Sequence, residues 1–203
     1  MDKSEIKKEL GMSYGDLVAY LIDKYGPAEY DYFCNESCKT RNKKASRSSE
    51  GLECHHIDED KAIMLSSPEY AAKNPFEYQK ADRLVYCNVI EHLILHAKIV
   101  EEPHRKGANQ FEIQGAGGIV NICMGINDYY NRFEYKQPHK QALYAHIADN
   151  FDDYIGILVY ILDMVDNKRP ELCLLLDRER LSKGFGGQII GKVYHATHDR
   201  QYK

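Results

Sequence analysis

The chain has 203 residues, 43% hydrophobic and 29% charged, the balance of an ordinary globular protein with room for one substantial core or two small ones. Lys and Arg number 27 against 31 Asp and Glu, a formal net charge of -4, which excludes a bulk polycation drawn to nucleic acid by overall charge alone. The opening residues Met1-Asp2-Lys3-Ser4-Glu5 carry no signal-peptide core, and the longest apolar run, 155–162, is interrupted by Gly156 and too short for a bilayer. A cytoplasmic protein with no membrane partner is expected. Its cysteines Cys34, Cys38, Cys54, Cys87, Cys123 and Cys173 then read as thiols or metal ligands rather than disulfides.

Tyr14, Leu17, Val18, Leu21 and Ile22 recur at helical spacing. Ser13 with Asp16 supplies a capping-box-like start, and Gly26-Pro27 ends that helix. Residues 35–50 are polar and basic and read as a loop or extended arm. Within it Lys39, Arg41, Lys43, Lys44 and Arg47 have no acid among them, so the strip is either a solvated loop or a row of phosphate contacts. Residues 51–57 predict a short strand entering a turn, and 58–74 a connection with a short helix near 68–73. Residues 84–87 predict a second strand.

A helix follows, with Asn88 as N-cap, Glu91 at the capping-box position, apolar Leu93, Ile94, Ala97 and Val100, and Pro103 as its stop. Gly115-Ala116-Gly117-Gly118 reads as flexible punctuation before a helix over 119–132. One long helix is predicted over 139–166, with Tyr154 and Tyr160 in its core pattern, and a short helix after Pro170. Gly184-Phe185-Gly186-Gly187 precedes a candidate strand over 188–195. The fold class is α+β, mostly α, with two short strands and one helix gathered around the histidines. It divides into an N-terminal helical segment (1–33), a core with a basic arm (34–103) and a helical C-terminal region (104–203), or forms one continuous domain. The C-terminal helices are the candidate surface for a homo-oligomer.

Four of nine histidines fall in two tight groups, His55-His56 and His92-x-x-x-His96. Residues four apart on a helix share a face, so His92 and His96 can reach one ion together. Either group alone is a weak signal. Their combination is specific, because one pair comes off a strand and the other rides on the helix that follows a second strand. Adjacent strand residues point to opposite faces, so His55 is expected to face the helical pair and His56 to stand off it, open to solvent. Glu53, Glu59, Asp60 and Lys61 flank the pair and read mainly as solvated charges.

The run Leu52-Glu53-Cys54-His55-His56-Ile57, followed by Asp82-Arg83-Leu84-Val85-Tyr86-Cys87-Asn88-Val89-Ile90-Glu91-His92-Leu93-Ile94-Leu95-His96, resembles the HNH (ββα-metal) nuclease motif. It is more closely similar to HNH-type proteins of phages and prophages in Gram-positive bacteria. The resemblance covers about residues 34–100. It implies a ββα-metal motif embedded in a helical protein and an endonuclease that hydrolyses phosphodiester bonds, with DNA the expected partner over RNA. It further implies one divalent metal ion (Mg2+, Mn2+, Ni2+ or Zn2+) held by His55, His92 and His96, with His56 as general base. The position usually taken by Asn, nine residues before His92, is Arg83 here. Arg83 is then expected at phosphate, or Asp82 at His56 holding its tautomer. Lys39, Arg41, Lys43, Lys44, Arg47 and Lys61 are the candidate nucleic-acid contacts. The competing expectation is a catalytically inactive HNH-fold binding protein, such as a phage-encoded inhibitor or regulator of a host defence system.

Overall fold

The computed structural model describes residues 3–102, 114–131, 135–176 and 181; the candidate strand over 188–195 lies outside them. The fold is α+β and mostly helical, with a single two-stranded antiparallel sheet among the described residues. Helices α1 (Lys3–Leu10) and α2 (Tyr14–Tyr25) lead to the arm and strand β1 (Glu53–His56). A long connection holding the short helix α3 (Pro68–Ala71) returns to strand β2 (Leu84–Cys87) and runs on into α4 (Val89–Glu101). Helices α5 (Ala116–Tyr130), α6 (Pro138–Ala145) and α7 (Phe151–Lys168) complete the chain. No helix among the described residues is long and apolar enough to cross a membrane.

Helix α4 is the centre of the molecule. Its start is fixed locally, because the Asn88 side chain accepts from the Ile90 and Glu91 amides while Glu91 Oε2 accepts from the Asn88 amide at 2.7 Å. Apart from His92 and the terminal Glu101, every residue of the helix is buried, the signature of a helix packed on all sides. It packs against α1, α2, α5, α7 and both strands. The main hydrophobic core draws on residues from Ile6 to Leu181, so it spans all three of the expected segments.

The strands separate two environments. Their register pairs Glu53 with Cys87, Cys54 with Tyr86, His55 with Val85 and His56 with Leu84. Alternation turns Glu53, His55, Val85 and Cys87 toward α4, where Val85 and Cys87 join the main core. It turns Cys54, His56 and Leu84 toward a second, smaller core of Tyr32, Phe33, Cys38, Ala71 and Leu84. That small core shows why residues 35–50 are not a loose arm. The segment closes on itself through a Phe33–Arg41 bridge and two 3-10 turns, Lys43–Ala45 and Ser48–Glu50, and buries Tyr32, Phe33, Cys38 and Ala45.

Two helical expectations are corrected. The helix expected over 139–166 is broken between Ala145 and Phe151. Asn150 Nδ2 caps the His146 carbonyl at 2.7 Å and the Tyr130 hydroxyl donates to the Ile147 carbonyl at 2.6 Å, so the break satisfies its own backbone. The glycine-rich stretch is not all punctuation, because α5 starts at Ala116 and contains Gly117 and Gly118. Gly115, with φ of +83°, makes the turn. Both Gly115 and Gly118 permit α5 to approach α4 at His96: a Cβ on Gly115 would meet the His96 carbonyl at 2.9 Å, and one on Gly118 the His96 ring at 2.2 Å.

Candidate metal centre

His55 on β1 and His92 and His96 on α4 meet as the spacing predicts. Their ring centroids lie 4.9 to 5.1 Å apart, and one nitrogen from each ring can be chosen so that all lie within 4.8 Å of one another. His92 Nε2 and His96 Nε2 are 3.2 Å apart. Two nitrogens at that distance share either a proton or a cation, and tetrahedral ligands with bonds of about 2.0–2.1 Å sit about 3.3–3.4 Å apart.

Neighbouring side chains decide which nitrogen of His55 and of His92 faces the other rings. The Tyr14 hydroxyl spends its proton on the Ile57 carbonyl at 2.9 Å, so it accepts from His55 Nε2 at 3.0 Å. This leaves the His55 Nδ1 lone pair on the inner side, buried and with no hydrogen-bond partner. His92 donates from Nδ1 to Glu53 Oε2 at 2.6 Å, which turns its Nε2 inward. Glu53 reaches His92 because it lies two residues from His55 on the same strand face.

Electrostatics sort the rings. Burial holds His55 and His96 well below the ordinary imidazole value, reinforced by the neighbouring histidines, so both present neutral lone pairs. Burial works in the same direction on His92, but the Glu53 carboxylate outweighs it and the net shift is upward. Glu59 borders the cluster on the side of His55 and His96. Expected to be a solvated charge, it has a side chain that is only 13% exposed. Its Oε2 lies 3.3 Å from His96 Nε2 and 3.7 Å from His55 Nδ1. Burial raises its pKa to about 7, partly countered by His92.

His56 stands off the three rings, as alternation requires, but it is not open to solvent. It is 0% exposed, with Tyr32 packed on it at 4.4 Å between centroids and Arg41 in turn stacked 4.4 Å over the Tyr32 ring. Burial is the main influence that lowers its pKa, to about 4. Its tautomer is set by Gln79 rather than by Asp82. Gln79 Nε2 donates to the Leu65 carbonyl at 3.2 Å, leaving Oε1 to accept from His56 Nε2 at 2.9 Å. His56 Nδ1 then carries the lone pair, 3.9 Å from Glu59 Oε1.

Other expected site residues lie elsewhere. Asp82 is exposed. Arg83 grips the buried Asp58 with two hydrogen bonds of 2.5 and 2.6 Å, and Lys61 pairs with the same carboxylate, so neither is directed at the histidines. Arg47 is structural as well: it binds Glu50 and the Tyr25 carbonyl and lies over the Tyr86 ring. Lys39, Arg41 and Lys43 instead line an open groove with Ser46, Ser48 and Ser49. Lys44 is exposed beside Tyr30. All six cysteines are free, and among the described residues none joins a group of three metal-capable side chains. No protein-family model, curated protein or solved structure matches this chain.

Proposed function

We propose that this protein is a metal-dependent endonuclease of the HNH type, hydrolysing phosphodiester bonds of nucleic acid, with DNA the expected substrate. The observation that carries the reading is the convergence of His55, His92 and His96, whose ligand atoms lie within 4.8 Å of one another, with His55 Nδ1 buried and without a hydrogen-bond partner. An orphaned buried nitrogen is costly unless something binds it. The neutral rings of His55 and His96 are in the form a divalent ion requires, while an ion would displace a proton from His92. His55, His92 and His96 would hold that ion, which when bound neutralises charge on the phosphate and on the leaving oxygen. Tyr14 and Glu53 orient two of the ligands. His56 is neutral and keeps a lone pair on Nδ1, so it can take the proton of an attacking water. Lys39, Arg41, Lys43 and Lys44 would follow the phosphate backbone at the neighbouring groove. Because Tyr32 and Arg41 cover His56, substrate entry requires this part of the arm to shift.

A second reading, a catalytically inactive HNH-fold binding protein such as a phage-encoded inhibitor or regulator, is favoured by two observations: His56 is buried, and a carboxylate already stands beside the cluster. The two readings separate in a cleavage assay on plasmid DNA and on RNA with Mg2+, Mn2+, Ni2+ or Zn2+. The nuclease reading expects cleavage by the wild type that is lost in His92→Ala and His56→Ala. A wild type that binds metal but cuts neither nucleic acid supports the inactive reading.

A further inference from the structure

We propose that Glu59 is a fourth protein donor to the metal centre, completing a set of three imidazoles and one carboxylate with His55, His92 and His96. The inference rests on the reading that the histidine cluster binds a divalent ion. The chain reaches this arrangement through the 3-10 turn Ile57–Asp60, which follows β1 directly and folds Glu59 back over His55, four residues earlier. Its Oε2 stands 3.3 Å from His96 Nε2 and 3.7 Å from His55 Nδ1, while His96 Nε2 stands 3.2 Å from His92 Nε2. Two of these separations match the about 3.3–3.4 Å between donors around one tetrahedral ion, and the third, to His55, is longer by a few tenths of an ångström.

The cations beside Glu59 in sequence and space are engaged elsewhere, since Lys61 and Arg83 both pair with Asp58. Apart from the imidazoles themselves, Glu59 faces no paired side-chain cation among the described residues, and a divalent ion among the rings would offset the burial of its carboxylate. A three-nitrogen, one-oxygen set suits Zn2+ and its borderline neighbours better than Mg2+, which prefers an octahedron of oxygens. Four protein donors also close the coordination, so a substrate phosphate would have to displace Glu59. The second carboxylate oxygen lies toward His56 Nδ1 at 3.9 Å, which puts Glu59 between the ligand cluster and the base.

The experiment reads metal rather than cleavage. Zn2+ is titrated calorimetrically into wild type, Glu59→Gln, Glu59→Asp and His92→Ala, and the visible absorption of each Co2+ form is recorded. Circular dichroism checks the fold. The expected result is one ion per wild-type chain, a Kd for Glu59→Gln raised by at least roughly ten- to hundred-fold, and a changed Co2+ spectrum. Glu59→Asp, which keeps the charge, should fall between and carries the test if Glu59→Gln does not fold. A wild-type Kd and spectrum in Glu59→Gln, with metal lost in His92→Ala, overturns the Glu59 assignment alone. A wild type that binds neither ion overturns the metal reading and this proposal with it.

Discussion

Gly118 lies flat against the imidazole of His96, so close that a Cβ would stand 2.2 Å from Cε1 and 2.3 Å from Nδ1. The absent side chain is what allows α5 to wall in the histidine cluster. Ordinary helix propensity favours Gly→Ala by about 0.5–1 kcal/mol, but overpacking a buried contact costs about 1–3 kcal/mol. The clash should win. Gly118→Ala is expected to lower stability in urea denaturation and to weaken metal binding by displacing His96. Gly117→Ala, with nothing within 4 Å of its Cβ, is the control and should be neutral or slightly stabilising.

The basic strip divides into two kinds of residue. Replacing Lys39, Arg41, Lys43 and Lys44 with Ser should weaken nucleic-acid binding and flatten its dependence on salt, because fewer counterions are released. Arg47→Ala should instead lower stability, since Arg47 ties the Ser48–Glu50 turn to the Tyr25 carbonyl at the end of α2. Affinity measured from low to moderate salt, beside urea denaturation of each variant, checks the division. An unchanged salt slope in the fourfold variant would make the strip a solvated surface.

Glu9 gives a pH dependence with a definite sign. Its side chain is fully buried between α1 and its neighbours, and neither carboxylate oxygen has a hydrogen-bond partner. Burial, then the Glu91 carboxylate, raises its pKa from 4.5 to about 8. The folded state therefore holds the proton more tightly than the unfolded chain. Its contribution to stability is fully present below pH 4.5 and is lost as pH rises toward 8. The loss is at most roughly 5 kcal/mol at the conversion of 1.36 kcal/mol per pH unit. Glu9→Gln should raise stability at pH 8 and flatten this part of the profile, measured by urea denaturation between pH 5 and 8.

What was legible in the sequence was set by local chemistry. The capping pairs Ser13–Asp16 and Asn88–Glu91, the β-type run 84–87 and the helical spacing of His92 and His96 all form as read. Strand alternation likewise separates His55 from His56, and the same period-2 rule shows how Glu53 could have been placed beside the cluster. Glu59 and Gln79 carry no such signal. One comes back over β1 through a 3-10 turn, and the other crosses from a connection 23 residues beyond His56. Nor does composition reveal that Arg83 and Lys61 are drawn to Asp58, a carboxylate whose burial only the tertiary fold determines. The helix break after Ala145 was illegible in part because, beside the local Asn150 contact, it is satisfied by Tyr130, a side chain from another helix.

Gln79 is the residue whose replacement best separates the base from the ligands. It is fully buried, accepts from His56 Nε2 and donates to the Leu65 carbonyl, while its own carbonyl accepts from the Tyr32 amide at 2.8 Å. Gln79→Leu keeps that backbone contact and the volume but leaves His56 Nε2–H and the Leu65 carbonyl unpaired, at a cost of about 1–3 kcal/mol. It also frees His56 to turn or change tautomer, so that Nδ1 no longer reliably presents its lone pair. Metal content should be unchanged, because no ligand contacts Gln79. Cleavage should fall by about ten- to hundred-fold, the usual consequence of removing a partner that orients a functional histidine. Gln79→Glu keeps an acceptor for His56 Nε2 and should retain more activity than Gln79→Leu. Metal analysis and cleavage rates on both variants decide the matter: equal cleavage in wild type and Gln79→Leu would remove His56 from the role of base, and loss of metal in Gln79→Leu would mean that the two faces of β1 are not independent.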